Sequence, residues 1–174
     1  MSRPLRTALS LVLEDARPLL EPVRARFDAE NVASGVPLHV TVLFPFVARE
    51  LVDAELLAEL GRLFAPRAAL AFALTRVAAF DGVVYAAPEP DAELLALMRY
   101  VWTKYPETPP YEGVHADPVP HATIGRALEP GAVHEIRALV DPLLPISCRV
   151  DCVTLLEEAQ PDRWRERVRL PLGA

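Results

Sequence analysis

The chain has 174 residues, 52% hydrophobic and 24% charged, which is enough apolar mass for one ample core and too much for a disordered segment. With 7 glycines and no short period it is neither collagen-like nor low-complexity. A formal charge of -6 argues against a protein that coats nucleic acid non-specifically, which is normally basic.

Residues 7–13, an apolar run after Arg3 and Arg6, resemble a short secretory signal but stop at Glu14-Asp15 with no small-x-small cleavage site, so a first β-strand is the better reading. Leu19, Leu20, Val23 and Phe27 recur at helical spacing over 17–30, with Pro18 tolerated in the first turn. Residues 38–46 (LHVTVLFPF) form a β-branched and aromatic strand that Pro45 ends. Asp53 is suited to cap a helix running to Phe64, and strands at 70–79 and 83–87 meet at the hairpin signal Asp81-Gly82. Asp91 is suited to cap a helix to Tyr105, and a proline-rich loop over 106–120 leads into the strand HATIGRA at 121–127. A helix over 132–144 and strands at 146–156 and 163–170 complete the chain. No apolar stretch approaches the roughly 18 residues of a spanning helix, so no membrane partner is expected and the cytoplasm is the expected location.

The order helix, strand, helix, strand, strand occurs twice, an internal duplication visible in element order with little identity. Helices alternating with strands indicate an α/β or α+β fold, and the hairpins make its sheets mainly antiparallel. Cys148 and Cys152 fall on one predicted strand roughly 13 Å apart, too far for a disulfide, and read as buried free thiols in a reducing compartment.

His39-Val40-Thr41-Val42 and His121-Ala122-Thr123-Ile124 sit at matching places in the two halves, each preceded closely by proline. Period-two alternation puts His and Thr on one face of each strand and the apolar pair on the other. With four His and seven Thr, about 0.16 His-x-Thr triplets are expected by chance, so two at equivalent positions require an explanation. Two imidazoles that titrate near neutrality can divide into one base and one acid, and two hydroxyls can donate to phosphoryl oxygens, a set suited to in-line displacement at phosphorus. Two histidines are too few for a catalytic zinc, and no acidic residue lies within either motif, so no metal and no cofactor is expected.

At these residues the chain resembles the 2H phosphoesterase superfamily, specifically its 2′-5′ RNA ligase-like members; PLHVTVLFPF and VPHATIGRAL are similar to that family's two signature strands. The resemblance implies a bilobal, internally duplicated fold. Two mainly antiparallel sheets would line a central cleft, with the helices outside. The whole of 1–174 is then one domain of two pseudo-symmetric lobes, about 1–88 and 89–174, with exchange of strands between them left open. It implies cofactor-free action on 2′,3′-cyclic or 2′-5′ phosphodiesters by His39 and His121, with Thr41 and Thr123 holding the phosphate. In hydrolysis His121 is assigned as base and His39 as acid. Phe44-Pro45-Phe46 stands where better-known members carry a Leu-Gly-Glu flank.

Arg126, His115 and Tyr111 are candidate substrate contacts; strict alternation puts Arg126 opposite His121, but it falls where strand alternation can fail. His134 reads as an exposed helix residue. Arg163, Arg165, Arg167 and Arg169 share one predicted strand face, either a solvated face paired with acids such as Asp151 or Glu157 or a basic wall for phosphate. Trp164, Tyr100, Trp102 and Tyr105 read as packing residues. The acidic balance points to short RNA ends or small cyclic nucleotides as partners of a monomer, with a non-catalytic nucleotide-binding module as the alternative.

Overall fold

The computed structural model describes residues 3–80, 82–114, 117–126 and 129–173. The first half of the chain forms β1 (Thr7–Val12), α1 (Arg17–Phe27), α2 (Ala29–Ala33), β2 (His39–Leu43), α3 (Ala54–Phe64) and β3 (Leu70–Phe80). The second forms β4 (Val83–Glu89), α4 (Ala92–Lys104), β5 (Ala122–Arg126), α5 (Ala132–Val140), β6 (Ile146–Val150), β7 (Cys152–Gln160) and β8 (Arg163–Pro171). The fold is α+β: eight strands join in the order β6-β3-β4-β5-β2-β1-β7-β8, and every strand pairing is antiparallel.

The two expected sheets are the four-stranded halves of this one sheet, joined at the β2–β5 seam where Val40 faces Ala122. Outward from the seam, β1 answers β4, then β7 answers β3. β3 from the first half of the chain therefore pairs beside β4, while β7 and β8 from the second half lie beyond β1, so each half of the sheet includes strand from the other half of the chain. α1 packs against β5 and α4 against β2, which crosses the halves a second time. The apolar partners of the motifs, Val40, Val42, Ala122 and Ile124, are fully buried with Leu20, Leu60, Leu94 and Ile136.

Three local expectations are corrected. The single helix over 17–30 breaks at Asp28, whose backbone (φ -140°, ψ 39°) leaves the helical region between α1 and α2. The strand at 146–156 is two strands hinged at Asp151: β6 pairs with β3 and β7 with β1, so the sheet curls until its two ends meet at this residue. The Leu172 N–H closes the join by donating to the Asp151 carbonyl at 2.8 Å. Asp91 stands at the start of α4 without a side-chain cap, whereas Asp53 accepts from the Leu56 N–H at 2.8 Å as expected. The hinge places Cys148 and Cys152 on different strands; both are free thiols, and burial pushes Cys148 up to about 11. Asp81, Ala127 and His115 lie outside the described residues; Gly82 takes φ +75° in the β3–β4 turn. No helix among the described residues is long and apolar enough to cross a membrane.

Candidate active site

Both histidines are oriented the same way. His39 Nδ1 lies 2.7 Å from the Pro37 carbonyl, and His121 Nδ1 lies 2.6 Å from the Val119 carbonyl. A carbonyl only accepts, so each ring carries its proton on Nδ1 in the neutral form and presents Nε2. In each case the carbonyl is two residues upstream, so the same turn of extended backbone is used twice.

The Val40–Ala122 pair sets the register of the seam. Projected one residue either way, it puts His39 across from Thr123 and Thr41 across from His121, all on the face opposite the core. Diagonal neighbours of this kind stand roughly 7–8 Å apart, enough to admit a phosphate between the rings. His39 Nε2 lies 3.1 Å from Thr41 Oγ1, and Tyr111 is also hydrogen-bonded to Thr41. The Nδ1 proton leaves Nε2 as acceptor, so Thr41 donates to His39 and the Tyr111 hydroxyl donates to Thr41. Burial pushes Tyr111 above the usual phenol range, opposed by Thr41 and by the charge of Arg126. Its backbone is left-handed (φ 49°) as is that of Glu112 (φ 56°), and its N–H donates to the Phe44 carbonyl at 2.6 Å.

Burial also dominates His39, which is lowered to about 4; the bond to Pro37 opposes this, while the positive fields of Arg24, His121 and Arg126 reinforce it. His121 is half-exposed and meets Phe80 and Tyr85 edge-on, at 5.1 and 5.6 Å between centroids. On its side of the seam a cleft of about 510 Å³ is lined by Phe80, Tyr85, Trp102, Tyr111, His121 and Arg126 among others.

Arg126 reaches this cleft because β5 is irregular. Thr123 faces Tyr85 but Gly125 faces Val84, so Ile124 is an extra residue that turns the strand over. β2 does the same: Thr41 faces Ser10 but Leu43 faces Leu9, making Val42 the extra residue and returning Phe44 to the cleft side. The Trp102 indole N–H donates to the Val42 carbonyl at 2.7 Å within this irregularity, so Trp102 supports the site as well as packing.

Trp164 is not a core residue: half-exposed, it meets Phe44 edge-on at 6.0 Å, and the Arg6 guanidinium lies over both rings at 5.5 and 5.7 Å. The β8 arginines are mainly paired with acids. Arg165 and Arg167 hold the buried Glu157 at 2.7 and 2.8 Å, and Arg169 holds Glu166 and Glu14. His134 is exposed on α5, and Tyr105 packs with its hydroxyl donating to Glu59 at 2.9 Å. The site residues missing from the sequence reading are Arg24 and Asp28: Arg126 Nε lies 3.8 Å from Asp28 Oδ1, and Asp28 Oδ2 lies 3.7 Å from Arg24. Two ionic groups on a helix face otherwise aimed at the core, Arg24 one residue after the buried Val23, were the available signal. No group of three His, Cys, Asp or Glu side chains among the described residues is placed to hold a metal ion.

A duplicated α+β fold with one His-x-Thr strand from each half across a seam defines the class. The model of the 2′-5′ RNA ligase superfamily matches residues 10–162, and the chain belongs to that family. Among solved structures, one titled a phosphoesterase is similar with a TM-score of 0.64 and 19% identity, covering 99% of this chain and 100% of that one. Escherichia coli LigT complexed with 3′-AMP is similar with a TM-score of 0.63 and 19% identity, at the same coverage. LigT complexed with phosphate gives 0.61 and 20%, again covering 99% and 100%. At these identities the likeness is one of fold. No curated protein sequence matches.

Proposed function

We propose that the protein is a phosphodiesterase, with the reverse ligation open to it, acting on 2′,3′-cyclic or 2′-5′ phosphodiesters of short RNA ends or small nucleotides. The observation that carries this is the matched anchoring of His39 and His121 through Nδ1, which presents two Nε2 atoms with a threonine opposite each. The occurrence of 3′-AMP and phosphate in E. coli LigT supports a nucleotide ligand.

Because burial favours the neutral form of His39, we assign it as the base and His121 as the acid, the reverse of the expected roles. His39 Nε2 takes a proton from the attacking water as its oxygen bonds to phosphorus. The bond from phosphorus to one ribose oxygen breaks, and His121 Nε2–H protonates that oxygen, leaving a phosphomonoester. His39 ends protonated and His121 neutral, and exchange with water restores both. Thr41, its hydroxyl turned from His39 Nε2 to the substrate, donates with Thr123 and Arg126 to the non-bridging oxygens, where charge gathers in the transition state. In ligation the roles exchange.

The test is a panel of 2′,3′-cyclic mononucleotides and 2′-5′ and 3′-5′ dinucleotides, assayed with and without chelator. Turnover in chelator, abolished in His39→Ala and in His121→Ala with the fold intact, is expected. Turnover near wild type in the double variant, or loss with chelator, refutes the mechanism.

A further inference from the structure

α1 and the break that follows it carry two buried charges that neither core packing nor the two-histidine chemistry requires. The side chain of Arg24 is 2% exposed and that of Asp28 4%. Arg24 Nη1 donates to Glu21 at 2.9 Å, Nη2 donates to the Val36 carbonyl at 3.1 Å, and Nε is buried with no hydrogen-bond partner. A guanidinium so placed is costly: an apolar side chain of similar volume would fill the site without the desolvation cost or the orphaned donor.

Its contacts lead to both halves of the cleft. Val36 directly precedes Pro37, whose carbonyl holds His39 Nδ1 at 2.7 Å. Asp28 turns one carboxylate oxygen to Arg24 and the other to Arg126, at 3.7 and 3.8 Å, while Asn31 donates to it at 2.8 Å. Asp28 makes these contacts from the break between α1 and α2.

We propose that Arg24 and Asp28 are positioning residues of the cleft, Arg24 tying down the Val36-Pro37 segment that orients His39 and Asp28 aiming Arg126 at the phosphate. This rests on the reading of His39 and His121 as the acid–base pair, but its test does not depend on turnover. The charged groups facing His39 are Arg24 from α1 and His121 and Arg126 from the β5 side; Tyr111 reaches it through Thr41.

Two measurements on the full chain test it. First, the His39 ring is titrated by NMR. In Arg24→Met the midpoint is expected to rise from about 4 toward 6.5, by about one unit, because a buried cation has gone and its loss outweighs any loosening of the Pro37 bond that favours the charged ring. Arg24→Lys, which keeps the charge but not the grip on the Val36 carbonyl, is expected to lower the midpoint slightly, since the Pro37 bond that favours the charged ring loosens, and carries the test where Arg24→Met does not fold. Second, 3′-AMP binding is measured calorimetrically for Asp28→Asn, Arg126→Met and the double variant. Each single change is expected to weaken binding about tenfold and the double change no further, since both act through one guanidinium. An unmoved His39 midpoint in a folded Arg24 variant, or additive losses in the double variant, overturns the proposal. Failure of the wild type to bind 3′-AMP refutes the nucleotide reading instead, and the titration still decides the role of Arg24.

Discussion

Phe44 and Arg126 occupy equivalent places in the two halves of the site. Each stands three residues past its threonine, and each is returned to the cleft by an extra residue, Val42 in β2 and Ile124 in β5. The duplication thus preserves the backbone device and changes the side chain, an arginine in one half and an aromatic ring in the other. Under the proposed function, Arg126 is the group placed to meet phosphate charge. Arg126→Met is expected to lower kcat/KM on a 2′,3′-cyclic nucleotide about 10- to 100-fold, the range of one lost charge-assisted hydrogen bond. Phe44→Leu, which removes ring contacts to Tyr111 and Trp164 but no charge, is expected to cost less than tenfold. Equal losses in the two variants would contradict this division.

His39 gives the protein a specific dependence on pH. Its folded midpoint of about 4 lies below the ordinary value of 6.5, so as pH falls the unfolded chain takes up the extra proton first. Stability from this group is therefore complete above pH 6.5, declines toward about 4 and is constant below that, with an upper bound of about 3 kcal/mol. Urea unfolding of wild type and His39→Gln across this window isolates the effect, because the carboxylates titrate alike in both. The difference between the two proteins is expected to shift by one to a few kcal/mol in favour of wild type as pH rises. A constant difference would show that His39 is not held neutral. On the same grounds the acid limb of kcat/KM should fall nearer pH 4 than 6.5.

These elements differ in how far sequence reveals them. The His-x-Thr strands are legible because period-two alternation alone decides which residues are buried, and Val40, Val42, Ala122 and Ile124 are all buried. α3 is legible from its apolar stripe and the Asp53 cap. The irregularities at Val42 and Ile124 are not: an extra β-branched residue inside a β-branched run changes no local preference, yet it reverses which way Phe44 and Arg126 point. The hinge at Asp151 left a weak sign, an acid where strands seldom carry one, but its partners lie some 80 and 140 residues away in β3 and β1. Trp164 turns away from the core because an extra residue in β8, Arg167, lies between it and the buried Leu170 and breaks the alternation.

Glu158 holds Arg6, whose guanidinium lies over Phe44 and Trp164. Its side chain is fully buried and accepts from Arg3 at 2.6 and 2.8 Å, from the Arg6 guanidinium at 2.7 Å and from the Arg6 N–H at 2.8 Å. Burial alone would push Glu158 up; the bonds from Arg3 and Arg6 overcome this and hold it well below the usual carboxylate range. Glu158→Gln is expected to cost about 2 kcal/mol at pH 7, below the value for a wholly buried pair because both arginines are partly exposed. Since the folded carboxylate titrates below its ordinary 4.5, the wild-type advantage is present above that pH and shrinks as pH falls below it. Denaturant midpoints at pH 7 and pH 3 test both statements, and an equal gap at the two pH values would contradict them.

Gly35 and Gly61 should respond to alanine with opposite signs. Gly35 follows α2 with φ +88°, and a Cβ there would lie 2.5 Å from the Trp164 carbonyl oxygen. The backbone at this point is fixed by the Trp164 N–H, which donates to Ser34 at 2.7 Å, so neither side has room to withdraw. Left-handed strain and the clash together predict a loss of about 2 kcal/mol for Gly35→Ala, or roughly 4–8 °C in Tm for a chain of this size. Gly61 lies inside α3 with nothing within 4 Å of a built Cβ. There alanine removes only the glycine's excess backbone entropy in the unfolded chain and should add about 0.5–1 kcal/mol. Because Trp164 meets Phe44, only the Gly35 variant should also disturb nucleotide binding. Thermal melts with and without 3′-AMP check both effects; a stabilised Gly35→Ala, or a destabilised Gly61→Ala, would contradict the backbone geometry described for that position.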